Sequence, residues 1–261
     1  MGLKESGLRG SLRNVSVGIV AIPDSVEYQW TTPIDGLSDN DLVETWPATV
    51  SDTDIDGEGV FYVENLNGSD AVAGDGEDDY AVLGTLGDFG SNIMDSDFTK
   101  AFMLPEISEG DDGFFYGVFD GQENQDLRFG MNPFGRSNQS EQAFSFDIED
   151  PSGNELRGAT QQEIADGNEH SVIISFGENW KEEGGDFEVY IDGSVAEFEI
   201  DRDERPLDNF SDFSQPFYSH AFNIDNEDQS HAECGFETIE IASEEYGQDD
   251  VDAFIERQKS A

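Results

Sequence analysis

Basic residues are scarce in this chain: 12 Lys and Arg stand against 60 Asp and Glu in 261 residues, a formal net charge of −48. With no basic patch, nothing in the sequence can track a phosphate backbone, which excludes nucleic acid as a partner. Cysteine occurs once, at Cys234, so neither an internal disulfide nor a cysteine zinc site is available. The apolar run nearest the start, "VSVGIVAI" at 15–22, is far shorter than the roughly eighteen residues of a spanning helix, so no membrane insertion is expected. It follows Lys4, Arg9 and Arg13, yet "PDSVEYQW" comes next without a small-x-small cleavage site, and no cleaved leader is expected. His170, His220 and His231 have no metal-ligand spacing.

What the chain does have is apolar bulk under an acidic coat. With 20 Phe, 7 Tyr and 3 Trp interleaved with Val and Ile, it can form a core, which separates it from disordered acidic tails. A net charge this large repels itself in dilute buffer, whereas molar salt shortens the Debye length to about 3 Å. The composition therefore reads as halophilic. Three of the twelve basic residues fall within the first thirteen positions and the next is Lys100, so residues 1–23 are set apart as an assembly arm.

From Val26 onward, short apolar runs alternate with Gly, Asp and Asn, the pattern of strands joined by turns. "SVIISF" (171–176), "DFEVYI" (186–191), "SVAEFEI" (194–200) and "FETIEI" (236–241) are the clearest strands, and "FFYGVFDG" and "AFSFDIED" add two. Asp192-Gly193 supplies the positive φ values of a tight hairpin. "ATQQEIADG" (159–167) is read as a turn of helix before Gly167. Near the end, Asp249 and Asp250 early and Arg257 and Lys259 late, with Val251, Phe254 and Ile255 at helical spacing, predict one short helix at 249–259. Many strands without a βαβ rhythm predict an all-β antiparallel sandwich or jelly roll over 24–261.

Several segments, in order, resemble the concanavalin A-like laminin G family: "VEYQW", "AVAGDGEDDYAVLG", "SDFTKAFML", "DGNEHSVIISF" followed by "GDFEVYIDGSVAEF", and "ECGFETIEIASEEYGQDDVDAFI". The resemblance spans about residues 25–256 and departs from the family at Glu169, where a Trp is usual, and at Thr238, where an Asp is usual. It implies the concanavalin A-like β-sandwich. The opening "GLRGSLRNVSVGIVAIPDS" resembles the start of such proteins in haloarchaea and their tailed viruses. Together with the charge, that implies a virion surface protein, capsid decoration or tail fibre, assembled in the host cytoplasm and released by lysis. On this reading the protein is a homo-oligomer, trimer or pentamer, held to other virion proteins by its arm and touching glycans of the host surface glycoprotein. The alternatives are a cellular haloarchaeal adhesion lectin and a glucanase-like hydrolase.

In "AVAGDGEDDYAVLG" the family resemblance makes Asp75-Gly76 a structural turn with Tyr80 packed inward. Calcium held by Asp75, Glu77 and Asp78 is the sharper alternative, because hard cations take carboxylate oxygens. Trp180, among Gly and charged residues in "GENWKEEGG", is the expected exposed aromatic for a ligand, with Tyr218 in the second aromatic cluster. "EIDRDE" places Glu199, Asp201 and Glu204 at the E-x-D-x-x-E spacing of glucanases. A composition this acidic yields roughly 0.4 such matches by chance, and Arg202 and Asp203 sit where a buried strand needs apolar residues, so no enzyme is expected. Cys234 reads as a buried core residue and His170 as a structural histidine.

Overall fold

Alternation along each run decides which side chains meet. In "FTKAFML", Phe98 and Phe102 face one way while Ala101 and Met103 face the other, and the whole strand is buried because both faces are covered. The computed structural model describes residues 21–75, 78–85, 94, 96–109, 113–120, 125–131, 139–210, 217–222 and 230–259, and for strand residues 118–120, 125, 221–222 and 230–231 the backbone alone. The arm with Lys4, Arg9 and Arg13 lies outside the described residues, as does Glu77.

Among the described residues, a seven-stranded antiparallel sheet runs Ser194–Val195, Phe187–Ile191, His170–Phe176, Phe98–Leu104, Thr238–Ala242, Val26–Thr31 and Ala48–Val50. A nine-stranded sheet runs Phe198–Asp203, Glu155–Glu163, Ala143–Glu149, Gln125–Met131, Phe114–Asp120, Phe217–Ser219, Tyr80–Gly84, Ile55–Glu58 and Thr45–Trp46. The two pack face to face through aromatic rings. Phe102 lies 5.4 Å from Phe115 and 5.2 Å from Tyr116, and Phe176 lies 5.8 Å from Phe146. A four-stranded sheet of Phe61–Leu66, Ser69–Ala73, Cys234–Phe236 and Glu106–Ile107 adjoins them, with Phe236 reaching Phe102 at 6.1 Å. The architecture is all-β, as expected.

The helix occupies Gln248–Gln258, with Asp249 and Asp250 in its first turn and Arg257 in its last. Val251 and Phe254 bury against Ala101, Met103, Ile173 and Tyr190 on the outer face of the seven-stranded sheet. Beneath it, the buried Glu240 carboxylate accepts from Arg257 Nη2 at 2.8 Å, Tyr246 Oη at 2.8 Å and Gln29 Nε2 at 2.5 Å. No helix among the described residues is long and apolar enough to cross a membrane.

Two local readings are corrected. "SVAEFEI" is not one strand: Ser194–Val195 pairs with Tyr190 and Ile191 in one sheet, and Phe198–Asp203 pairs with Glu155–Glu163 in the other. The chain turns the corner of the sandwich at Ala196 and Glu197, a change of partner that strand propensity does not report. "ATQQE" is strand rather than helix, because Ala159 and Thr160 are held opposite Glu199 and Phe198. The Asp192-Gly193 hairpin has φ of 53° and 77°, as its sequence requires.

Candidate functional site: the acidic turn and its neighbouring groove

Strand Ser69–Ala73 leaves the four-stranded sheet at Gly74, whose N–H donates to the Cys234 carbonyl at 3.1 Å, and the chain re-enters the nine-stranded sheet at Tyr80. The turn between them gathers acids. Asp79 is nearly buried and its Oδ2 accepts the Asp75 N–H at 3.1 Å. One carboxylate oxygen each from Asp75, Asp78 and Asp79 lies within 4.8 Å of the others. Gly59, at φ +87°, presses its backbone onto this group: a Cβ there would sit 2.1 Å from Asp79 Oδ1. Three convergent hard oxygen donors under such a close backbone approach fit a divalent cation of the calcium class, which takes carboxylate oxygens in flexible geometry.

Of the acids expected from the sequence, Asp75 and Asp78 lie together, Glu77 is outside the described residues, and Asp79 joins them without having been singled out. Its signal was position, directly before the strand that begins at Tyr80, where the chain must turn the carboxylate back under the loop. Tyr80 in turn meets Tyr218 edge-on, with centroids 5.7 Å apart and planes at 83°. The expectation of an exposed Tyr218 is corrected: it is 6% exposed, since its strand lies between Phe114–Asp120 and Tyr80–Gly84. The adjacent His220, fully buried at φ 64°, hydrogen-bonds the Val72 carbonyl at 3.0 Å through Nε2. Burial holds its pKa down near 4, so it is a neutral structural group. A Cβ at Gly74 would come within 3.2 Å of it.

Gly74 also borders a groove of about 140 Å³ whose walls include Phe61, Val63, Leu66, Ala73, Glu106 and Cys234. Its lining mixes apolar side chains with the acids Glu106 and Glu233. Cys234 is buried, as expected. The acidic turn follows directly in the chain from Ala73 and Gly74, which line the groove.

Trp180 is the larger correction. It is fully buried, with its ring 4.9 Å from Phe176, 5.6 Å from Phe98 and 6.3 Å from Phe210, and its N–H donates to the Ser96 carbonyl at 3.1 Å. The polar neighbours that made it look exposed face outward, while the turn folds the indole over the end of the core. Glu199, Asp201 and Glu204 lie on or just past the edge strand Phe198–Asp203, where Glu199 accepts from Gln139 and the other two pair with Arg157 and Arg202. Asp201 and Glu204 thus sit in ion pairs and Glu199 in a hydrogen bond, all on the surface. His170 bridges Asp192 and Asp166 at 3.0 Å on each side. Burial works against its charged form, but hydrogen bonds to Asp192 and Asp166 prevail and raise its pKa.

No protein-family model and no curated protein matches the sequence. Solved structures do match. The binding domain of Paraclostridial mosquitocidal protein 1 superposes with a TM-score of 0.59 at 14% identity over 88% of this chain and 52% of its own. A botulinum neurotoxin type C structure, from a toxin whose cell entry depends on two ganglioside molecules, gives 0.60 at 13% over 90% of this chain and 51% of its own. Trypanosoma rangeli sialidase with the inhibitor DANA gives 0.56 at 10% over 88% and 32%. The fold is a β-sandwich of the kind these proteins contain. This chain spans about half the length of the toxin chains, at 52%, and about a third of the sialidase, at 32%.

Proposed function

We propose that this chain is a non-enzymatic glycan-recognition module that works in concentrated salt. The observation that carries the reading is the convergence of Asp75, Asp78 and Asp79 beside an apolar groove. A saccharide ring has one apolar face and a hydroxylated edge; the groove suits the first, and a bound divalent cation with its carboxylates suits the second. Two of the solved neighbours support a carbohydrate ligand by analogy, one depending on gangliosides and one acting as a sialidase. The net charge of −48 and the resemblance of the opening residues support placing it on the surface of a haloarchaeal virus particle, as a capsid or tail component. There, repeated copies turn weak contacts into avid binding.

The test is binding of the purified protein, in molar salt, to haloarchaeal cells with intact and with stripped surface glycan, with and without chelator. Glycan-dependent binding is expected to fall at least about tenfold on chelation and in Asp75→Asn/Asp78→Asn, with circular dichroism unchanged. Binding that is indifferent to the glycan would sink the reading. Salt supplies a separate check on the setting: the melting temperature is expected to be at least about 10 °C higher in about 3 M than in about 0.2 M salt. A flat salt profile would remove the halophilic assignment.

A further inference from the structure

A second cavity, of about 330 Å³, opens at the other end of strand Ser69–Ala73, a strand about 13 Å long at the rise of an extended chain. It is lined by Thr32, Pro33, Ser69, Asp70, Glu237 and the helix-end residues Gln258 and Lys259, with Gly68 at its edge. Its volume lies within the range of small-molecule sites.

The chemistry of its walls selects among ligand classes. Asp70 is already committed, since Oδ2 accepts the Tyr62 hydroxyl at 2.7 Å and Oδ1 the Asn65 N–H at 3.1 Å. It therefore offers a cation little. An anion is repelled by Asp70 on the cavity wall and by Glu169 near Glu237. Gln258 Oε1 accepts from Thr238 Oγ1 at 2.8 Å, which leaves its amide donors for the cavity. Glu237 is 6% exposed. Burial first, then the nearby Glu169 and Asp70, push its pKa up to about 7, while Ser69 works the other way. A carboxyl that keeps its proton near neutrality is both donor and acceptor. That combination, with an amide and a hydroxyl beside a proline ring, is complementary to an uncharged ligand bearing several hydroxyls.

We propose that this cavity is a second binding site, distinct from the acidic turn, for a neutral polyhydroxylated ring such as a hexose, with Glu237, Gln258 and Ser69 on its walls as the hydrogen-bonding groups. The site needs no metal, and its occupancy follows the Glu237 proton.

The experiment titrates the full chain, in molar salt with chelator, against methyl glycosides of glucose, galactose and mannose, following the backbone and side-chain amide signals of Ser69 and Gln258 by NMR. At least one glycoside is expected to shift both signals saturably at pH 6, and its affinity to fall at least about tenfold by pH 8.5 as Glu237 ionises. Glu237→Gln, which keeps the donor and cannot ionise, is expected to bind with no pH dependence over that range; circular dichroism checks its fold. Binding in the presence of chelator and in Asp75→Asn/Asp78→Asn separates this site from the acidic turn, so either can fail alone. No saturable shift at pH 6, or the same pH profile in wild type and Glu237→Gln, would overturn the proposal.

Discussion

Lys100→Met combined with Tyr116→Phe is expected to make the protein more stable at pH 6, by about 1–4 kcal/mol. Lys100 lies on Phe98–Leu104 facing the space between the sheets, 2% exposed, with its ammonium 2.8 Å from the Tyr116 hydroxyl and 4.5 Å and 5.0 Å from the ring centres of Tyr116 and Phe217. Rings attract the cation, but they do not replace its lost hydration. Burial accordingly drives its pKa down to about 7. The double variant removes both partners of one buried hydrogen bond, so neither is left unsatisfied. The sign with pH follows from linkage. Between about pH 7 and the unfolded lysine value near 10.4, the unfolded chain holds a proton that the folded chain has released. Wild-type stability therefore rises with pH across that window as far as this group is concerned, and the cost is fully present below about pH 7. The Tyr116 hydroxyl, raised by burial, keeps its proton in the fold throughout it. Chemical denaturation of both proteins from pH 6 to pH 9.5 is the check. A variant less stable than wild type at pH 6, with the same pH slope, would show that the ammonium is well accommodated.

Arg257→Met is expected to act in the opposite direction, costing about 3–5 kcal/mol. Glu240 is 1% exposed beneath the helix and would keep its hydrogen bonds to Tyr246 and Gln29 while losing its counter-charge. At this size the loss corresponds to a melting temperature lower by about 10 °C. Glu240→Gln/Arg257→Met, with no unpaired charge, is expected to recover most of it. Arg257 Nε and Nη1 are buried without a hydrogen-bond partner among the described residues, which adds to the reason the paired deletion is cheap. Limited proteolysis should release Gln248–Gln258 first in the single variant. Equal stability of wild type and Arg257→Met would mean that Val251 and Phe254 alone hold the helix.

The strands were readable because their signal is local. "SVIISF" and "DFEVYI" carry enough β-branched and aromatic residues to be extended in any context, and Asp192-Gly193 between the second of these and "SVAEF" meets the φ requirement of the turn by itself. The helix was readable for the same reason, since capping acids, a late arginine and the Val251–Phe254 spacing all act within eleven residues. "ATQQE" was misread because its own propensity is weak and its partners, Phe198 and Glu199, lie almost forty positions away.

The site was half readable. Asp75 and Asp78 stood out as acids in a glycine turn, yet so did many others in a chain with 60 of them. Asp79 joins them because the chain changes sheets there and Gly59 arrives from another strand. Glu237 gave no signal: it follows Phe236 in an ordinary strand pattern, and its raised pKa comes first from burial and then from Glu169 and Asp70, all supplied by the fold. Trp180 and Tyr218 misled because local polarity reports the neighbours and not the direction of the ring.

By itself the sequence determined the class of the protein: an acid-coated, disulfide-free sandwich of antiparallel strands with one late helix. Those properties are sums over composition and short-range pattern, which need no partner to be expressed. Only the tertiary structure decided which acids converge, which aromatics are spent in the core, and where cavities remain, because burial and electrostatic coupling depend on what the fold brings from elsewhere in the chain.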